Sequence, residues 1–95
     1  MAVAHQIVTL NSSTATLVTI PKAQEANYET RVSTSFQNLD GSIDIYIGNA
    51  NVTSSSYGYI LHAGASISLD LLPGDEVYAI APTGTPRIAV LALEA

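Results

Sequence analysis

The chain has 95 residues, of which 47% are hydrophobic and only 12% are charged, with a net charge of −5. This length allows a single β-domain, here residues 1–95, and the apolar content excludes a disordered chain. Because the three cations, Lys22, Arg31 and Arg87, are too few to form a basic face, the composition also excludes nucleic acid as a partner.

The first ten residues, MAVAHQIVTL, are largely apolar but are interrupted by His5, Gln6 and Thr9. They lack the basic start and the continuous apolar centre of a secretion signal. No apolar run of the chain approaches the ~20 residues that a membrane helix needs. We therefore expect a soluble protein that is made in the cytoplasm and has no membrane partner. Residues 1–10 are predicted to form either the first strand or an N-terminal arm that docks on a neighbour.

Short runs rich in β-branched and aromatic residues recur along the chain, and turn residues separate them. The polar triplet Asn11-Ser12-Ser13 lies between the first two runs and predicts a hairpin connection. The eight predicted strands, in chain order, are residues 5–10, 14–20, 30–37, 42–47, 57–61, 66–71, 76–81 and 87–93.

Two of these runs alternate with period two, which is typical of half-buried strands. Val32, Thr34 and Phe36 fall on one face of the third run, and Ile43, Ile45 and Ile47 on one face of the fourth. Eight short strands in one small domain predict an all-β fold, a single-domain antiparallel β-sandwich of the jelly-roll kind. A Greek-key barrel is the nearest alternative.

Residues 21–28, PKAQEANY, differ from the rest of the chain in composition. A proline at a first helical position followed by alanine, glutamine and glutamate favours one or two helical turns. A crossover loop between two strands fits the same residues equally well.

The strongest candidate for acid–base chemistry is His62, because imidazole titrates near neutral pH. No G-x-S-x-G nucleophile motif accompanies it, so we interpret it as a turn residue beside Ala63-Gly64. The chain also has no cysteine, which excludes disulfide bonds and thiolate metal sites.

Asp40, Ser42 and Asp44 imitate the first ligands of a calcium loop. Such a loop requires a glycine at its sixth position and a glutamate at its twelfth, and here those positions hold Ile45 and Asn51. We expect Asp40-Gly41 to form a turn in which the glycine tolerates a positive φ. The sequence therefore predicts no catalytic residue, no metal site and no cofactor, and we expect that the protein is not an enzyme.

The five tyrosines raise the question of a carbohydrate site, since aromatic faces and hydroxyl groups suit sugars. Tyr57 and Tyr59 are two residues apart and are predicted to share one strand face. Lectin sites usually add tryptophan or several amides, and this chain has no tryptophan. We therefore favour a place at the margin of the core or in a subunit contact for these tyrosines, with sugar binding as the alternative.

The charged fraction of 12% is about half of the ~25% that is usual in globular proteins. A chain this short also buries only about 60–65% of its unfolded surface, so it gains from partners. We expect part of its neutral surface to be covered by another protein.

Residues 42–93 resemble a pattern found in small structural proteins of tailed bacteriophages. In that pattern a strand ending in Y-I-G is followed by N-V-T-S, a hairpin, a glycine turn, a V-Y-A-I-A strand and a last V-L strand. The matching segments here are Tyr46-Ile47-Gly48, Asn51-Val52-Thr53-Ser54, Gly58, Leu61, Ala63-Gly64, Ser66 to Leu69, Val77-Tyr78-Ala79-Ile80-Ala81 and Arg87 to Leu91. The first 41 residues do not follow the pattern.

The resemblance implies a capsid decoration (cement) protein or a related auxiliary protein of a phage head or tail. Proteins of this kind form homotrimers on the expanded shell and contact the major capsid protein. We therefore expect a non-enzymatic virion protein on the capsid surface, synthesised in the host cytoplasm. The alternative is a carbohydrate- or receptor-binding module on a phage tail or capsid surface. The residues that we predict to contact other subunits or the capsid are Ile7, Val8, Tyr57, Tyr59 and Val90.

Overall fold

The computed structural model of the chain describes residues 2–19, 32–71 and 75–94. Within these ranges it contains eight strands and no helix, so all eight predicted strands are confirmed. The strands are β1 (Ala2–Thr9), β2 (Thr16–Leu17), β3 (Val32–Asn38), β4 (Ile45–Gly48), β5 (Tyr59–Leu61), β6 (Ser66–Leu71), β7 (Tyr78–Ile80) and β8 (Arg87–Glu94).

The strands form two antiparallel sheets of four, with the orders β1-β8-β3-β6 and β2-β7-β4-β5. The first strand pairs with the eighth, the second with the seventh, the third with the sixth and the fourth with the fifth. This nested pairing is that of a jelly roll, in which a long antiparallel ladder is wrapped into two facing sheets. The sandwich prediction is confirmed, and the fold is not the Greek-key barrel.

Most connections carry the chain from one sheet to the other, and β4 and β5 are the consecutive strands that pair with each other. The prediction of a hairpin at Asn11-Ser12-Ser13 is therefore wrong. The Asn11 Oδ1 accepts hydrogen bonds from the backbone N of Ser13 at 3.0 Å and of Thr14 at 2.7 Å. The Asn11 carbonyl accepts one from Ala81 N at 3.0 Å. These bonds turn the chain from the first sheet into the second.

A single hydrophobic core lies between the sheets. The predicted alternation is confirmed, since Thr34, Phe36, Ile45 and Ile47 are all buried. Each sheet contributes its inward side chains to one cluster, which also includes Leu10, Val18, Leu61, Val77, Ala79, Ile88 and Val90. Burial of this kind is the main favourable term in folding, at about 1.5–3 kcal/mol for each large aliphatic side chain.

A buried amide at the end of β3 connects the two sheets. Asn38 is 1% exposed, and its Nδ2 donates to the carbonyl of Leu61 in the second sheet at 2.9 Å and to the Ile43 carbonyl at 2.8 Å. Its Oδ1 accepts from Asp40 N at 2.9 Å. One side chain thus fixes the end of β3, the following loop and β5 relative to one another.

The turn glycines differ from the prediction. Asp40 and Gly41 do lie in a turn, as predicted. Gly41 does not have a positive φ, whereas Gly64 and Gly84 do, so only the positive φ expected at Gly41 is wrong. The physical reason is that side-chain acceptors, Asn38 and Asp40, hold that turn in conformations open to any residue. At Gly84 a Cβ atom would also lie 2.9 Å from Ile43 Cδ1.

The remaining expectations concern the start of the chain and residues 21–28. Ala2–Thr9 pairs with β8 along its whole length, so these residues form the first strand rather than a free arm. The predicted helical turns or crossover loop at 21–28 lie outside the described residues. No helix long and apolar enough to cross a membrane was found in the described ranges.

We predict that Asn38→Ala lowers the free energy of unfolding by about 2–4 kcal/mol, because it leaves the buried Leu61 carbonyl and its neighbours without partners. Asn49→Ala is the matched control. Asn49 also accepts from the backbone N two residues on, at 2.8 Å, but it is exposed, and we expect a loss of about 0.5 kcal/mol. Urea denaturation of both variants measures the difference. Equal losses would show that Asn38 does not couple the sheets.

We predict that Gly84→Ala destabilises the fold by about 1–2 kcal/mol, because it combines a positive φ with a close contact to Ile43. Gly41→Ala provides the control, since its φ is not positive and no atom lies within 4 Å of its added Cβ. Thermal unfolding of the two variants separates them. A larger loss in Gly41→Ala than in Gly84→Ala would contradict the assignment.

Candidate functional surfaces

The outward face of the first sheet carries an apolar stripe, which we define as Val3, Ile7, Leu91 and Leu93. Their exposed fractions are 63%, 58%, 41% and 37%. Val3 lies opposite Leu93 across β1 and β8, and Ile7 lies opposite Ala89. Cross-strand neighbours on one face are close enough to form a continuous surface. Exposed apolar area of this kind is typical of a surface that another molecule covers.

The other half of the same face is polar. β3 presents Ser33, Ser35 and Gln37, opposite Asp70, Ser68 and Ser66 of β6. The hydroxyl groups of Ser35 and Ser68 are 2.9 Å apart and share a hydrogen bond. The face therefore changes from apolar at the β1 side to hydroxyl-rich at the β6 side.

A shallow depression of about 470 Å³ lies where the two halves meet. The residues that line it include Ile7, Ser35, Gln37, Ala89 and Leu91. Since the depression is bounded by the stripe, a partner that covers the stripe also fills it.

β1 is an edge strand that differs from the three other edge strands, β2, β5 and β6. β2 and β5 have only two and three residues, and β6 contains Asp70. β1 has eight residues without a proline, glycine, lysine or carboxylate. Proteins usually protect sheet edges by short strands, charges or proline. Within the described residues, β1 has none of these protections.

The β4–β5 loop, which we define as residues 49–58, is the second surface of interest. Val52 is only 4% exposed and anchors it, and a Cβ atom at Gly48 would lie 3.1 Å from Val52 Cγ2. Two backbone hydrogen bonds of 2.8 Å, from Thr53 N to the Ser56 carbonyl and from Gly58 N to the Ile47 carbonyl, close it. The loop therefore has a defined conformation, held by a buried side chain and by backbone hydrogen bonds.

A tyrosine ring forms one wall of this loop. Tyr57 is 44% exposed, and its ring centroid lies 4.7 Å from that of Tyr46 with an interplanar angle of 45°. Tyr59 is 47% exposed and lies opposite the buried Ile47, on the other side of the strand from Tyr46. The prediction that Tyr57 and Tyr59 share one face is therefore wrong, because Tyr57 turns out of the strand to pack on Tyr46.

The structure divides the five predicted contact residues into three groups. Ile7, Tyr57 and Tyr59 are exposed, whereas Val8 is partly buried and packs against the core. Val90 is 1% exposed and belongs to the core, so its prediction as a contact residue is corrected.

The sequence prediction missed Val3, Leu91 and Leu93. The sequence of β8 is RIAVLALE, and β1 is AVAHQIVT. In both strands apolar residues occupy odd-numbered as well as even-numbered positions, which point to opposite faces of the sheet. A nearly continuous apolar run does not show which parity faces outward. The pairing of β1 with β8 in the first sheet is needed to identify Val3, Leu91 and Leu93 as outward-facing.

The histidine and carboxylate side chains that could serve in catalysis or metal binding do not form a reactive cluster in the described ranges. His62 Nδ1 lies 3.4 Å from Asp44 Oδ2 at the surface, and no group of three or more histidine, aspartate or glutamate side chains there could hold a metal ion. Asp44 also accepts from Ala63 N at 3.3 Å, which makes this pair a brace for the turn that follows β5.

Asp40 performs turn chemistry in place of calcium binding. Its Oδ1 accepts from the backbone N of Ser42 at 2.8 Å and of Ile43 at 2.9 Å. These bonds, with that from Ser42 first, lower the pKa of the Asp40 carboxyl below its ordinary value of 3.8. A carboxyl with a lowered folded-state pKa stabilises the fold above its ordinary pKa, and this contribution is lost as the pH falls through the folded pKa.

No family model matches the chain, and no curated protein matches it in sequence. Among solved structures, it is similar to a chain from Bacillus endospore appendages, which are described as a family of disulfide-linked pili, with a TM-score of 0.45 and 15% sequence identity. The similarity covers 95% of this chain and 85% of that chain. At such low identity and TM-score, the likeness supports no argument about function.

We predict that Asp40→Asn is less stable than the wild-type chain at about pH 7, because the neutral amide is a weaker acceptor for the two backbone N–H groups. The difference should shrink as the pH falls below 3.8, because the wild-type carboxyl then also becomes neutral. Thermal unfolding of both proteins across this range measures it. A difference that stays constant down to the most acidic pH would show that charge on Asp40 plays no part.

Proposed function

We propose that this chain is a non-enzymatic structural protein of a tailed-bacteriophage particle, a trimeric decoration (cement) protein of the capsid surface. It would clamp neighbouring subunits of the major capsid protein on the expanded shell. The observation that carries the proposal is the apolar stripe of the first sheet, with exposed fractions of 37–63% on four large side chains. The viral setting and the trimer rest on the sequence resemblance of residues 42–93.

The chemistry of the stripe favours a protein partner. Its four side chains are aliphatic, and the next outward residues along the pairing, His5 and Ala89, carry no carboxylate. A chain with a net charge of −5 meets the least electrostatic repulsion when it docks through such a neutral face. The neighbouring edge of β1 adds backbone donors and acceptors that a strand of a partner could use.

The size of the stripe indicates weak individual contacts. Burying the exposed half of four aliphatic side chains contributes about 3–6 kcal/mol, whereas association costs about 4–15 kcal/mol in lost freedom of motion. One stripe on one flat partner therefore binds poorly. Binding becomes effective when several surfaces of an assembled lattice are contacted at once, as at a junction between capsid subunits.

Because each single contact is weak, the protein would bind the assembled shell in preference to free capsid subunits. A protein that binds only the assembled, expanded shell stabilises that state by mass action. The contacts repeat over every junction, so modest local affinities add up to resistance of the whole particle. A tightly binding stripe would instead also capture unassembled subunits.

We predict that Ile7→Lys reduces co-sedimentation with expanded capsids by about ten-fold or more, because it places a charge in the stripe and removes apolar contact. Ser12→Lys is the matched control, since it adds the same charge to an exposed turn residue outside the stripe and should sediment as the wild type does. Unfolding curves of both variants confirm that each is folded. The measurement uses purified protein with expanded and immature capsids of the parent phage.

Two results would overturn the proposal. One is the absence of the chain from mature virus particles, measured by mass spectrometry of purified virions. The other is equal sedimentation of the wild type and Ile7→Lys, which would show that the stripe is not the contact surface. Equal binding to immature and expanded capsids would remove the clamp mechanism.

A further inference from the structure

The β4–β5 loop borders an open pocket that the proposed decoration role does not use. Its volume is about 350 Å³, which lies at the lower end of the range for small-molecule sites and suits a ligand of one ring. The residues that line it include Asn49, Asn51, Ser56 and Tyr57, together with Gly48 and Gly58.

The pocket is formed before any ligand arrives. The hydrogen bonds from Val52 N to the Asn49 carbonyl at 3.0 Å and from Asn51 N to Asn49 Oδ1 at 2.8 Å fix one wall. The bridge between Thr53 and Ser56 fixes the opposite side. A loop that is already ordered loses little conformational freedom on binding.

One wall is an aromatic ring. Packing on Tyr46 holds the Tyr57 ring in place, while 44% of the residue stays exposed. The face of an aromatic ring carries partial negative charge, and the C–H groups on one side of a sugar ring carry partial positive charge, so the two surfaces attract each other.

The polar groups of the pocket suit hydroxyl groups. The Oδ1 of Asn49 is occupied by the backbone, but its NH₂ group has no hydrogen bond within the described chain. The same is true of the Asn51 amide and the Ser56 hydroxyl. Together they offer donors and acceptors in the combination that neighbouring sugar hydroxyls need.

The charge of the pocket excludes other ligand classes. No lysine or arginine lines it, so phosphates and acidic sugars find no counter-charge there. No carboxylate lines it either, so it does not provide the ligands that a hard metal ion prefers. We propose that the pocket between Asn49, Asn51 and Tyr57 binds one neutral sugar unit of a carbohydrate.

This site can operate while the first sheet is covered. The pocket belongs to the hairpin of the second sheet, whereas the stripe lies on the outward face of the first. The inference does not depend on the decoration role, because it can be tested on the isolated chain.

The experiment titrates the isotope-labelled full chain with D-glucose, D-galactose, D-mannose and N-acetylglucosamine, and follows its backbone amide NMR signals. We expect at least one of them to shift signals of residues 48–58 in a saturable way, with a dissociation constant on the order of 1 mM, since one small ring makes few contacts. Tyr57→Ala and Asn51→Ala should each weaken binding by about ten-fold. The Asn51 side chain is exposed and its amide makes no hydrogen bond within the described chain, and the alanine variant keeps the backbone N–H that donates to Asn49 Oδ1. Asn51→Ala therefore tests the site even where Tyr57→Ala perturbs the loop.

Tyr59→Ala is the matched control, because Tyr59 is equally exposed at 47% but does not line the pocket. It should leave the affinity unchanged. No saturable shift with any of the four sugars would overturn the proposal, and so would binding that Tyr59→Ala weakens as much as Tyr57→Ala does. Sugar binding and co-sedimentation with capsids are measured independently, so either proposal can be disproved while the other stands.

Discussion

The coupling of two sheets that share no strand is the constraint on which the rest of the structure depends. Backbone hydrogen bonds run within each sheet, so the relative position of the sheets is set by core packing and by a few polar bonds between them. The Asn38 amide makes three hydrogen bonds from one buried side chain: one joins it to Leu61 of the opposite sheet, and two hold the loop that follows β3. Apolar packing is non-directional, whereas an amide with two donors and one acceptor in use fits one arrangement. Asn38 therefore fixes the relative position of the two sheets in addition to stabilising the fold.

This coupling positions two surfaces of different chemistry on opposite layers of one small domain. The first sheet has long strands and carries the apolar stripe beside the β1 edge. The second sheet has strands of two to four residues, and its hairpin carries the ordered loop with Tyr57. In a sandwich the outward faces of the two sheets point in opposite directions. A partner that covers the stripe thus leaves the loop accessible, and one domain can attach through one layer while it presents the other.

The sequence predicts local features of this fold well and its long-range pairing poorly. Period-two alternation identified the buried faces of β3 and β4, since each residue reports its own side of a strand. The triplet at Asn11 was misread because a turn signal gives the direction change but not the strand that the chain joins next. Val90 was misplaced for a related reason, since in an apolar run both parities look alike. Tyr57 and Tyr59 were equivalent in sequence, and only the packing of Tyr57 on Tyr46 separates them.

The same apolar run that misled the prediction has a physical cost for the free chain. Five of the eight residues of β1 are alanine, valine or isoleucine, and the strand holds no charge that would repel a second strand. Exposed edges and patches of this kind promote association, so a chain that leaves them open benefits from a permanent partner. The carboxylates of the chain outnumber its cations by eight to three, and the resulting repulsion opposes non-specific aggregation of copies. Repulsion between whole molecules, combined with a neutral and adhesive stripe, favours docking on a different and less acidic surface over self-aggregation. If the chain attaches to a partner as proposed, the low charge of β1 would favour that contact, and the acidity of the whole chain would oppose aggregation.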